Sequence, residues 1–134
     1  MKILSKNNGE ANMLASLIVF ISLFSVITFF VVIAGVFKVN NDLSNVADTV
    51  IRSAELSGHT NLQTQADILR SQTGLDFKLS WEGTEYISGT KKVQLNNDIY
   101  LHLSVPYSVK IGNFPLFEVM INVRRTGTSE IYYK

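Results

Sequence analysis

Residues 11–37 read ANMLASLIVFISLFSVITFFVVIAGVF and contain no charged side chain. Their polar atoms belong to Asn12, Ser16, Ser22, Ser25 and Thr28, all small residues. A hydrocarbon core about 30 Å thick takes roughly 20 apolar residues of helix, so the run is long enough to span with some tilt. A helix on the core of a water-soluble domain keeps a polar face. Here Leu, Ile, Val and Phe recur on every face, and water would solvate such a helix poorly. The expectation is a transmembrane helix over residues 10–37, in contact with membrane lipid.

The chain has 134 residues and a formal net charge of +1. Residues 38–134 suffice for one small domain with a modest core. The balanced charge argues against nucleic acid as a partner, which would call for a clustered basic face. There is no cysteine, so thiol catalysis, zinc-thiolate sites and disulfides are all excluded.

Residues 1–9, MKILSKNNG, carry Lys2 and Lys6; beyond the apolar run stand Lys38, Asp42, Asp48 and Arg52. Counting Lys and Arg near the span places this short basic leader in the cytoplasm and residues 38–134 outside it. Three fates for the N-terminus are consistent with the residues. The leader and span are retained as a signal anchor. Alternatively, Val32-Ile33-Ala34 serves as a small-residue cleavage site before Gly35, although the run exceeds the roughly 7–15 residues usual for a signal h-region. The third is cleavage after Gly9, which keeps the whole span.

A basic leader ending in Gly9-Glu10, followed directly by a long apolar helix, resembles the N-terminus of type IV pilin-like proteins. More narrowly, it resembles the TadE-like pseudopilins of tight-adherence (Tad) systems, and similarly sized proteins of Gram-positive bacteria with a G-E-A/G start. The resemblance implies that a prepilin-type membrane peptidase cuts between Gly9 and Glu10. It also implies that the apolar helix assembles with copies of itself or with other pilin-like subunits. Typical type IV pilins carry Glu at the fifth mature position; here that position is Leu14, and the acid stands at Glu10. Glu10 also has a plainer reading, an acid in the first helical turn complementing the macrodipole, with Asn8 or Gly9 as N-cap. Helices in lipid associate through close packing of small residues, and Ala15, Ser16, Ser22, Ala34 and Gly35 offer such surfaces.

Past Lys38 the pattern changes from apolar all round to amphipathic. Val39, Leu43, Val46, Ala47, Val50 and Ala54 fall on one helical face, no proline intervenes, and Gly58 is a plausible stop. One long helix is expected from about residue 10 to 57, its lower half in lipid and its upper half on a core. A short second helix follows, capped by Thr60 or Asn61, with Leu62, Ala66 and Leu69 inward, Asp67 and Arg70 outward, and Gly74 at its end. From Leu75 the period becomes two. Phe77, Leu79 and Trp81 alternate with polar residues. Val93 and Leu95 form a short strand. Ile99 to Val109 and Phe117 to Val123 form two longer ones, and Ile131 and Tyr133 follow a turn at Thr126-Gly127-Thr128. Pro106 implies an edge or a bulge. The fold class is α+β: an antiparallel meander of four or five strands packed on the long helix, which is also the architecture of pilins and pseudopilins.

Catalytic patterns are absent from the sequence. His59 and His102 have no partner at metal-ligand spacing and read as solvated. The carboxylates are dispersed, no serine lies in a G-x-S-x-G elbow, and no phosphate-binding glycine loop occurs. Arg124-Arg125 reads as a solvated strand end, and Tyr132-Tyr133 as a strand with one ring on each face. The expected function is that of a structural pseudopilin-like subunit of a type IV filament or Tad-like secretion or conjugation apparatus, with no catalytic, cofactor or metal site. The alternative is a permanently anchored accessory or binding protein of a cell-envelope machine, outside any filament.

Overall fold

The structure, a computed structural model, describes residues 7–134. The leader lysines Lys2 and Lys6 lie outside the described residues. The elements are α1 (Asn7–Ser57), α2 (Gln63–Thr73), β1 (Lys78–Ser80), β2 (Asp98–Ile111) and β3 (Phe114–Thr128). The three strands form one antiparallel sheet in the order β1-β2-β3. The class is therefore α+β. The chain divides into two compact units, Met1–Gly35 and Val36–Lys134. The described part of the first is helix alone.

The second unit holds the core. Along α1 the 3.6-residue period buries Val39, Leu43, Val46, Ala47, Val50, Ile51 and Ala54, the first at 9% exposure and four of them at 0%. Against this stripe lie Ile99, Leu101, Leu103 and Val105 of β2, Ile121 and Val123 of β3, and Phe77, Val93 and Ala66. The alternation along β2 thus puts one sheet face on the helix and leaves the other to solvent. As expected, α1 stops before Gly58, whose N–H donates to the Ala54 carbonyl at 2.8 Å, and α2 ends at Gly74 in the left-handed region.

β2 and β3 form one long hairpin, paired from Asp98↔Thr128 to Ile111↔Phe114. Its two-residue loop opens with Gly112 at φ 59°, the conformation that a type II′ hairpin turn needs at its first position. A bulge interrupts the register between Val109 and Lys110, with Leu116 as the extra residue on β3. β1 pairs only with residues 102–104. Pro106 therefore stands where that side of β2 is open, and no ladder bond is lost there.

Several expectations are corrected. The sheet has three strands, not four or five. Val93 is fully buried but lies in a loop, held by its N–H to the Gly58 carbonyl at 2.8 Å, and the residues after Thr128 are not a strand. Gly127, expected in a turn, is inside β3 opposite Ile99. A Cβ there would stand 2.8 Å from Ile51 Cγ1 and 2.5 Å from Glu55 Oε1, so only glycine lets the strand come this close to α1. α2 starts from Leu62 with no side-chain cap; the Thr60 hydroxyl is instead buried and donates to the Tyr86 phenol oxygen at 3.0 Å. Gly9 is already helical, so neither it nor Asn8 caps α1. His59 is half-buried rather than solvated, and its Nδ1 has no hydrogen-bond partner among the described residues.

Charged residues fasten the two faces of the core. Arg125 Nε donates to Asp48 Oδ1 at 2.5 Å, so that half of the basic doublet is paired to α1 rather than solvated. Arg52 donates to Glu130 at 2.6 Å and Glu55 at 3.0 Å, and these two carboxylates, Glu55 first, hold its guanidinium pKa above the ordinary value. Arg70, expected outward, donates Nε and Nη2 to the Phe77 carbonyl at 3.1 and 2.9 Å and stacks 4.9 Å from the Phe77 ring. Tyr133 is half-buried, its hydroxyl donating to the Ser57 carbonyl at 2.9 Å, while Tyr132 is exposed.

Candidate functional site

The feature that stands out chemically is the surface of α1 before Gly35. Met13, Leu14, Leu17, Ile18, Val19, Phe20, Ile21, Leu23 and Phe24 are all more than half exposed, and the same holds onward to Val31. A soluble unit does not leave a surface of this kind uncovered. This is one helix long and apolar enough to cross a membrane, with a mean hydropathy of 3.0 over its most apolar window. Residues 11–37 extend about 40 Å as helix, more than the roughly 30 Å hydrocarbon thickness.

The hydroxyls in this surface are satisfied by their own helix. Ser16, Ser22, Ser25 and Thr28 each donate to the carbonyl four residues earlier, at 2.8–2.9 Å. In hydrocarbon such internal pairing removes most of the cost of a polar atom. It also commits the hydroxyl protons, so these residues can serve a neighbouring helix as small contact surfaces and acceptors rather than as donors.

Helical geometry sorts the expected assembly residues onto different faces. Ala15 and Ser22 are seven residues apart and share one face. Ser16 and Ala34 lie roughly a quarter-turn round from it. Glu10 and Leu14, one turn apart, share another side, and Gly35 falls close to that side at the far end of the run. The five small residues therefore do not make a single packing stripe. Glu10, Leu14, Ala15, Ser16, Ser22 and Ala34 are exposed, and Gly35 is half-buried. Gly9 has open space around its Cα: a Cβ there would meet nothing within 4 Å.

The second unit carries several open surface cavities. One of about 310 Å³ is lined by Gly83, Glu85, Asn96, Asn97, Asp98 and Tyr100. Another, of about 250 Å³, lies over the solvent face of the sheet, between Lys78, His102 and Arg124. Among the described residues no group of three or more His, Asp or Glu side chains is gathered to hold a metal ion.

The hairpin end is what sequence reasoning missed. Phe114 is 77% exposed, and Leu116, Phe117 and Met120 are each just over half exposed. By alternation Phe117 shares the face of Ile121 and Val123 and reads as covered with them; the structure keeps it on that face, opposite Val109, but leaves it exposed. The signal that could have shown otherwise is local: in Phe114-Pro115-Leu116-Phe117 apolar residues occupy positions of both parities, so the alternation that marks a one-sided strand is already broken.

Neither the curated proteins nor the solved structures include one that is significantly similar to this chain. Residues 18–134 match a family described as Domain of unknown function (DUF4320), and the match takes in most of the apolar run together with the whole α+β unit. On that match the chain belongs to the DUF4320 family.

Proposed function

We propose that this protein is a structural, pseudopilin-like subunit of a type IV filament or Tad-like secretion or conjugation apparatus. Its apolar helix is both the membrane anchor and the assembly element. The leader is cytoplasmic and residues 38–134 are outside. The observation that carries the reading is the division of labour along α1. Up to Val31 its large apolar side chains are exposed; from Val39 it gives one stripe to the core of an antiparallel sheet. The resemblance of the Gly9-Glu10 start to pilin-like leaders supports it. The reading assigns no catalytic step and no cofactor to the chain. Its partners are membrane lipid, further pilin-like subunits and a prepilin-type peptidase.

One residue favours a second reading. Leu14 replaces the glutamate of type IV pilins at the fifth mature position, so the contact which that acid makes during assembly has no equivalent there. A permanently anchored accessory protein of an envelope machine would have no need of it.

The intact mass and first residue of the protein recovered from its own envelope test the proposal. A chain starting at Glu10 supports prepilin-type processing. A chain starting at Met1 supports the anchored accessory protein, and a start at Gly35 means a secreted domain and sinks both. Gly9→Phe sharpens the result, because the added side chain meets open space and leaves the fold alone. The pilin-like reading expects the unprocessed form to accumulate in this variant. Unchanged mass and assembly would count against it.

A further inference from the structure

The exposed hairpin end and the beginning of the second unit's helix lie at the same end of that unit. Three contacts set the direction. Arg125 of β3 is bonded to Asp48, the Gly127 backbone approaches Ile51 and Glu55, and Glu130 is bonded to Arg52, with its N–H on the Glu55 carbonyl. Residue numbers rise together along β3 and α1, so following β3 back toward Phe114 leads toward Val36. From Arg125 back to Phe117 is eight residues, about 26 Å of strand. From Asp48 back to Val36 is twelve residues, about 18 Å of helix. Followed back from Arg125, β3 thus runs toward the end of the second unit at which Val36 stands, and Phe114 and Phe117 lie toward that end.

We propose that the β2–β3 hairpin end is a second membrane contact, a short apolar wedge that enters the interface of the bilayer crossed by α1. This rests on the reading that α1 spans a membrane. The bilayer boundary then falls where the apolar run gives way to Lys38, at the end of the unit toward which the hairpin runs. Phe114, Leu116 and Phe117 are its apolar load, and Met120 lies on the opposite sheet face from Phe117. Lys110 and Glu118 bound the insertion: both are exposed and sit within a few residues of the loop, so the wedge is confined to the headgroup and upper acyl region. Shallow burial of this kind fixes how the outer unit is held against the membrane, which a single helix leaves free.

The chain has no cysteine, so single labels are unambiguous. Phe114→Cys and Phe117→Cys, each carrying an environment-sensitive fluorophore, are reconstituted as the full chain in phosphatidylcholine–phosphatidylglycerol vesicles. Phe20→Cys reports on the span and Thr126→Cys on the far end of β3. Asn113→Cys, in the loop itself, repeats the measurement without removing an apolar group. Spin-labelled lipids with the label near the headgroup are expected to lower emission at positions 113, 114 and 117 by about twofold or more, and aqueous iodide to lower it at 126. Emission at 113, 114 and 117 that follows iodide as 126 does, while position 20 is shielded, overturns the wedge and leaves the span intact. An iodide-quenched position 20 overturns the span and the wedge with it. Shielding at 114 and 117 that vanishes as protein is diluted in lipid overturns the wedge in favour of a second copy as the occupant.

Discussion

At the scale of single residues, the seam between α1 and β3 is closed by a residue with no side chain. Gly127 faces Ile51 and Glu55 at distances that a Cβ cannot share, and the Glu55 carboxylate is itself held by the Thr128 N–H at 3.1 Å and by Arg52. Gly127→Ala must therefore push the strand off the helix or break those bonds. Overpacking of this kind costs about 1–3 kcal/mol, and chemical denaturation is expected to show that loss. A variant as stable as the parent would mean the seam yields freely. Arg70 is the second such residue. Its side chain supplies two donors to the Phe77 carbonyl while its plane covers the buried ring. Arg70→Ala removes both, and a charge-assisted bond to a partly buried acceptor is worth about 1.5–3 kcal/mol. Neither role was legible in sequence. Thr126-Gly127-Thr128 looks like a turn by composition, and Arg70 three residues after Asp67 looks like an exposed helical pair. What decides both is a neighbour distant along the chain, and local pattern carries no trace of it.

At the scale of elements, legibility followed periodicity. The α1 stripe from Val39 to Ala54 and the alternation of β2 were readable because burial on one face imposes a period that the sequence must keep. The strand expected around Val93 is absent for the converse reason. A loop residue can be buried by one backbone bond and good packing, and Val93 needs no ladder to reach 0% exposure. The apolar half of α1 is the least ambiguous element, and its strength can be bounded. Its seventeen Leu, Ile, Val and Phe residues contribute roughly 5–10 kcal/mol to membrane insertion, whereas one aspartate near the middle costs about 2.5–3.5 kcal/mol. Leu23→Asp alone is therefore expected to leave the protein in the membrane fraction after alkaline extraction. Val19→Asp, Leu23→Asp and Ile27→Asp together reverse the sign and release it. Release by the single substitution would show that the run inserts more weakly than its composition implies.

At the scale of the whole molecule, every member of the buried core belongs to the second unit, from Val39 to Val123. The ion pairs Asp48–Arg125 and Arg52–Glu130, which tie α1 to β3 and to the segment that follows it, also lie within this unit. Val36 is the residue of the apolar run that packs against this core, and it belongs to the same unit, so residues 36–134 hold the core together with these ion pairs. Residues 36–134 produced alone are expected to fold, giving a single cooperative urea transition followed by Trp81 fluorescence, with a stability in the ordinary range of about 5–15 kcal/mol. The same Gly127→Ala substitution then shifts that transition by the amount seen in the full chain, because its partners are all present. The exposed Phe114, Leu116 and Phe117 remain in this fragment and give it a tendency to bind vesicles that Phe114→Ser with Phe117→Ser removes while leaving the urea midpoint unchanged. A fragment that melts without cooperativity would show that the helix stripe from Val39 onward needs the apolar turns before it in order to form.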